Sequence, residues 1–121
     1  MLDFLNLNDI ELQKKIKYFF KDLSLLKTAL THSSYSKKSY NYERLEFLGD
    51  SILGSIVSEF LFLKFSNKNE GYLTQQKSLI VNKKNLAEVS NTLDLIKYAR
   101  IGGSINFSNK PTMIGISSDI Y

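Results

Sequence analysis

Apolar residues recur at helical spacing along most of this chain, and strand-like alternation is weak throughout. The pattern predicts an all-α domain. Residues 9–20, DIELQKKIKYFF, set Ile10, Leu12, Ile16, Phe19 and Phe20 at apolar positions behind Asp9 as N-cap. A short second helix is expected over LLKTAL, capped by Asp22 or Ser24. THSSYSKKSYNY has no apolar period and reads as a loop. A long central helix follows over residues 41–65, with Asn41 as its cap and the polar cluster 66–69 as its stop. Helical spacing resumes in EGYLTQQKSLIVN through Leu73, Leu79 and Ile80, and again after Asn82 or Asn85 through Leu86, Val89 and Leu93. Residues 100–112, RIGGSINFSNKPT, contain a Gly-Gly pair and the only proline and read as a loop. Ser117, Ser118 and Asp119 resemble a helix N-cap with almost no helix behind it.

The central stretch, NYERLEFLGDSILGSIVSEFLFLKF, changes the picture most. At about 100° per residue, Glu43, Glu46 and Asp50 fall on one face of the helix. Leu53, Val57 and Leu61 continue that stripe, and a second apolar stripe holds Leu45, Leu48, Ile52, Ile56, Phe60 and Leu63. Only an arc with Ser51, Ser55, Ser58 and Glu59 is made for water. A helix apolar nearly all round is expected to be buried. Acids above an apolar stripe are costly unless a cation compensates them. Gly49 and Gly54 inside this helix imply either close helix–helix approach, at a dimer seam, or a local kink.

Composition narrows the chemistry. At 121 residues, the chain is long enough for one domain with a core. It has no cysteine and one histidine, which excludes disulfides, thiolate sites and multi-histidine zinc. A metal would be held by carboxylate oxygens, as suits magnesium or manganese. The net charge of +4 mildly favours a polyanionic partner. The apolar run after Asp50 is broken by Ser58, Glu59 and Lys64, so no membrane span is expected. With no secretory signal pattern at the N-terminus, a cytoplasmic location is expected. The glycine pair at 102–103 lacks the pattern of a phosphate loop.

The segment ERLEFLGDSIL at 43–53 resembles the signature of the ribonuclease III family, in its bacterial-type form. FKDLSLLKTALTHSSY at 20–35, NEGYLTQQKSLIVNKKNLAEVS at 69–90 and SSDIY at 117–121 are similar to the family's other segments, in the same order. The resemblance implies an all-α endonuclease domain, active as a homodimer. Its reaction would be Mg2+-dependent hydrolysis of double-stranded RNA, with 5′-phosphate and 3′-hydroxyl ends, in processing of RNA such as ribosomal precursors. It implies metal-binding carboxylates at Glu46 and Asp119, a catalytic acid at Asp50 and an auxiliary cleft acid at Glu70. The family's second acidic motif carries a glutamate three residues beyond the position of Asp119. Residues 1–121 are therefore expected to be a catalytic domain without its C-terminal helices or an RNA-binding domain, and impaired on their own.

Phosphodiester hydrolysis needs an activated water and relief of charge on phosphate and leaving oxygen, which two Mg2+ ions about 4 Å apart can supply. Mn2+ is a possible substitute. Asp50, one turn from Glu46, is placed to hold a metal-bound water. Glu43 either pairs with Arg44 or a lysine or reaches across a dimer interface. Glu70 either caps its helix or serves the cleft, and Asp119, on its own, reads as an N-cap. His32 is expected to pack or hydrogen-bond rather than act as a base. Lys37, Lys38, Lys83, Lys84 and Lys110 are candidate phosphate contacts for a duplex read by shape. The competing reading is a non-catalytic duplex-RNA binder or dimerisation module.

Overall fold

A computed structural model describes residues 6–36 and 40–121. In chain order the helices are α1 (Leu7–Ile16), α2 (Leu23–Ala29), α3 (Glu43–Lys64), α4 (Glu70–Val81), α5 (Lys83–Thr92), α6 (Leu95–Tyr98) and α7 (Lys110–Ile120). The only strand-like feature among the described residues is one parallel bridge, Thr31 to Arg100. The all-α expectation holds.

Asparagine and aspartate caps set most of the helix starts. Asp22, Asn69, Asn82 and Asn109 each accept a backbone N–H from the first turn of the helix they precede. At α3 the helix begins one residue later than the Asn41 cap implied, at Glu43. Asn41 Oδ1 still accepts the Glu43 N–H at 3.0 Å.

The first and last helices depart furthest from expectation, and α6 was not expected at all. The first starts at Leu7, because Asn6 rather than Asp9 is its cap, with Asn6 Oδ1 accepting the Asp9 N–H at 2.8 Å. It also stops early, at Lys17, whose φ of 58° lies in the left-handed region. The chain then turns back on Gln13. The buried Gln13 side chain accepts the Phe20 N–H at 2.7 Å, and its carbonyl accepts that of Tyr18 at 3.1 Å. The last helix is the larger correction. Asn109-Lys110-Pro111 is not the end of a loop but a cap followed by a first-turn proline, a position where the missing N–H costs nothing. Asp119 therefore lies in the last turn of α7 and is not an N-cap.

The main core gathers Leu12 of α1, Leu26 and Leu30 at α2, Tyr42, Leu95 of α6, and Ile116 and Ile120 of α7. α7 packs most extensively on α5, and α3 on α4. On α3, the stripe below the acids is buried as its sequence implies, at Val57 and Leu61. The second stripe is not. Leu48, Ile52, Ile56, Phe60 and Leu63 are each more than half exposed, and Phe47 beside them is 81% exposed. Apolar periodicity shows that a face seeks cover, but not that its own chain supplies it. α3 runs unbroken for 22 residues. A Cβ on Gly49 would meet nothing within 4 Å, and one on Gly54 would meet only the end of Lys77, at 3.6 Å. Packing within one chain does not demand either glycine. No helix among the described residues is long and apolar enough to cross a membrane.

Candidate active site

The first turn of α3 and the last turn of α7 meet in a cleft of about 550 Å³. Glu43, Glu46 and Asp50 enter it from α3, Asp119 from α7, and Lys83 from the start of α5. Burial of Ile116 and Ile120 in the core fixes the face of α7 that carries Asp119.

Glu46 and Asp119, distant in sequence, are the pair the fold joins. Glu46 is half-buried, and its carboxyl is pushed up to about 7. Desolvation is the largest cause, followed by the charge of Asp119 and a hydrogen bond to it; Lys83 pulls the value down and Glu43 adds to the rise. Two carboxylates this close cannot both ionise cheaply, although the N-terminus of α3 favours negative charge. A divalent cation would relieve that repulsion. Oxygen donors without a thiolate fit a hard ion such as Mg2+, which takes one or two carboxylates and keeps several waters. His32 is not a competing ligand: its Nδ1 is 2.6 Å from Ser34 Oγ and its ring lies edge-on to Tyr42. This is the packing and hydrogen-bonding role its sequence context implied.

The other expected site residues divide. Asp50 and Glu43 line the same cleft and are exposed. Among the described residues no group of three acidic or histidine side chains lies close enough to hold a metal together. Glu70 lies elsewhere. It is in the first turn of α4 and lines a second groove with Glu59, Leu73 and Lys77, apart from the cleft of its own chain. Lys83 is in the cleft, whereas Lys84 and Lys110 are exposed in the first turns of α5 and α7. Lys37 and Lys38 lie outside the described residues.

One residue of the site was not anticipated. Tyr42, 4% exposed, donates its hydroxyl to Asp119 Oδ2 at 3.3 Å, and its carbonyl accepts the Glu46 N–H at 2.7 Å. Burial and the charge of Asp119 push the phenol well above its ordinary range, so it remains a donor. The available signal was an aromatic residue abutting the acids at the end of a polar loop.

The Glu46 shift sets a pH dependence. Folded Glu46 holds its proton more tightly than an ordinary glutamate near 4.5, so its contribution to stability is fully present below about 4.5 and is lost as pH rises through about 7. Without metal, the melting temperature of the chain should therefore fall across that window more steeply than that of Glu46→Gln. Added Mg2+ should raise it more at pH 7.5 than at pH 5.5. Parallel melting curves for the two proteins, followed by circular dichroism, would contradict the assignment.

An all-helical domain with a carboxylate pair at the junction of a long helix and a terminal one is thus the class that the fold and site define. A family model described as Ribonuclease-III-like matches residues 22–119. The chain belongs to the ribonuclease III family. It is 49% identical over 89 residues to Ribonuclease 3 of Acinetobacter baylyi, covering 74% of this chain and 38% of that protein. With Ribonuclease 3 of Aliarcobacter butzleri it shares 40% identity over 111 residues, covering 92% of this chain and 49% of that protein. The chain thus spans less than half the length of these curated relatives. A solved nuclease domain of ribonuclease III from Campylobacter jejuni, described for structural flexibility in a region involved in dimer formation, superimposes with a TM-score of 0.82. Identity to it is 37%, over 95% of this chain and 80% of that one.

Proposed function

We propose that this chain is the nuclease domain of an endoribonuclease that hydrolyses phosphodiester bonds of double-stranded RNA with Mg2+, which Mn2+ can replace. The observation that carries the reading is the Glu46–Asp119 pair, two acids forced together in a cleft where a cation would stabilise both. When bound there, Mg2+ supplies charge relief on the phosphate and acidifies a water. Glu46 and Asp119 are the ligands. Asp50, one turn along α3, orients water at the rim, and Glu43 is an auxiliary acid of the same cleft. Lys83 is placed to meet a phosphate entering the cleft, and Lys37, Lys38, Lys84 and Lys110 are candidate outer contacts for a duplex read through its backbone.

The working form is a homodimer joined through the exposed stripe of α3. A contiguous apolar face of this kind marks an interaction surface. That the similar Campylobacter nuclease domain is described as having a region involved in dimer formation supports a dimer. Glu70, outside the cleft of its own chain, is proposed as an auxiliary acid that serves only in the assembled dimer.

The test incubates labelled duplex and single-stranded RNA with residues 1–121, and with the longest reading frame that contains them. Each reaction is run with Mg2+ and with a chelator. Cleavage confined to the duplex, dependent on Mg2+ and leaving 5′-phosphates, is expected from the longer form. Cleavage indifferent to chelation, or duplex binding with no metal-dependent cleavage in either form, would overturn the reading. The second outcome would favour a non-catalytic binder.

A further inference from the structure

We propose that Tyr42 is a positioning residue for the metal site, fixing the Asp119 carboxylate through its phenol; the inference rests on the metal-site reading above. Three observations carry it. The first is the contact itself, a buried hydroxyl 3.3 Å from Asp119 Oδ2. The second is that Tyr42 is also joined to the first turn of α3, since its carbonyl accepts the backbone N–H of Glu46 at 2.7 Å. The third is that Tyr42 is itself braced. Its N–H donates to the Thr31 carbonyl at 2.9 Å, and its ring meets His32 edge-on at 5.7 Å between centroids. His32 Nδ1 in turn contacts Ser34 Oγ at 2.6 Å, and Ser34 Oγ accepts the Gly102 N–H at 2.8 Å. This last contact closes tightly, because a Cβ at Gly102 would lie 2.3 Å from the Ser34 carbonyl oxygen.

The physical role follows from the aspartate side chain. Its terminal torsion is broad and nearly two-fold, so an unrestrained carboxylate samples orientations that do not serve a ligand. A phenol donating to one oxygen selects one orientation before any cation arrives. The Glu46 backbone is anchored to the same residue, so Tyr42 ties the start of α3 to the Asp119 carboxylate. Hydrogen-bonded partners behind ligating carboxylates are typically worth about 10–100-fold in metal affinity or activity. Tyr42 is bound to α3 by its backbone and to α7 by its side chain, and is the residue through which the two halves of the site keep register.

The experiment measures Mn2+ affinity of the metal-free protein by titration followed by electron paramagnetic resonance. Wild type, Tyr42→Phe and Asp119→Asn are compared, with melting temperatures recorded in parallel. Phenylalanine keeps the ring, its packing and every backbone bond, and lacks only the hydroxyl. The expected result is a melting temperature within about 6 °C of wild type, as loss of one hydrogen bond allows, with Mn2+ affinity about tenfold weaker. Unchanged affinity in Tyr42→Phe while Asp119→Asn abolishes binding would overturn the positioning role and leave the metal site standing. Unchanged affinity in both variants would overturn the metal site as well. A large fall in melting temperature with affinity retained would make Tyr42 a packing residue only and overturn the proposal.

Discussion

Glu46→Gln is expected to lower Mg2+-dependent cleavage of duplex RNA by about 10²–10³-fold or more, the loss typical of removing one preorganised electrostatic stabiliser, while duplex affinity stays within about threefold. Glutamine keeps the volume and the first-turn position on α3, so the helix and the cleft wall persist. The ionisable oxygen is lost, and with it the negative charge that faces Asp119. Since one member of the pair then remains alone, the repulsion that a cation would relieve disappears too. Binding is kept because the proposed phosphate contacts come from lysines rather than from Glu46; affinity should fall with added salt equally in both proteins. Cleavage within a few-fold of wild type would remove Glu46 from the metal site.

Ile56→Glu is expected to convert the proposed dimer into a monomer. Ile56 lies mid-way along the exposed stripe of α3 and is 59% exposed in the single chain, so the substitution leaves the core of each copy untouched. In a two-fold interface the same patch serves both partners, and the variant would bury two new carboxylates close together. Unpaired charge in an interface costs several kcal/mol, and each 1.4 kcal/mol is about tenfold in affinity, so dimerisation should weaken by about 10³-fold or more. Sedimentation velocity at matched concentrations reads this directly, with the melting temperature of the monomer as control. A variant that still dimerises like wild type would place the interface elsewhere.

Much of this architecture was legible because it is local. Asp22, Asn69 and Asn82 cap helices at the positions their residue types favour, and the long apolar period of α3 required a long helix. The misreadings have equally local causes. A lysine at positive φ ended α1, and nothing in its side chain announces that conformation. Asn109 and Pro111 carry the composition of a loop yet start a helix, because proline in the first turn forfeits no hydrogen bond. The site was less legible. Glu46 and Asp50 share a face by spacing alone, but no periodicity brings Asp119 to Glu46; that pairing followed only from resemblance to the family. The Tyr42 hydroxyl contact spans α3 and α7 and depends on tertiary packing. The exposed stripe of α3 was read as buried, since a sequence records that a surface is apolar and not which chain covers it.

Glu46 and Asp119 are proposed to hold a divalent cation together. Anomalous X-ray scattering from crystals soaked in Mn2+ tests it most directly. The prediction is an anomalous peak within ligand distance of both carboxyl groups, absent from Asp119→Asn crystals treated alike. A fully occupied Mn2+ site elsewhere, with the space between Glu46 and Asp119 empty, would contradict it.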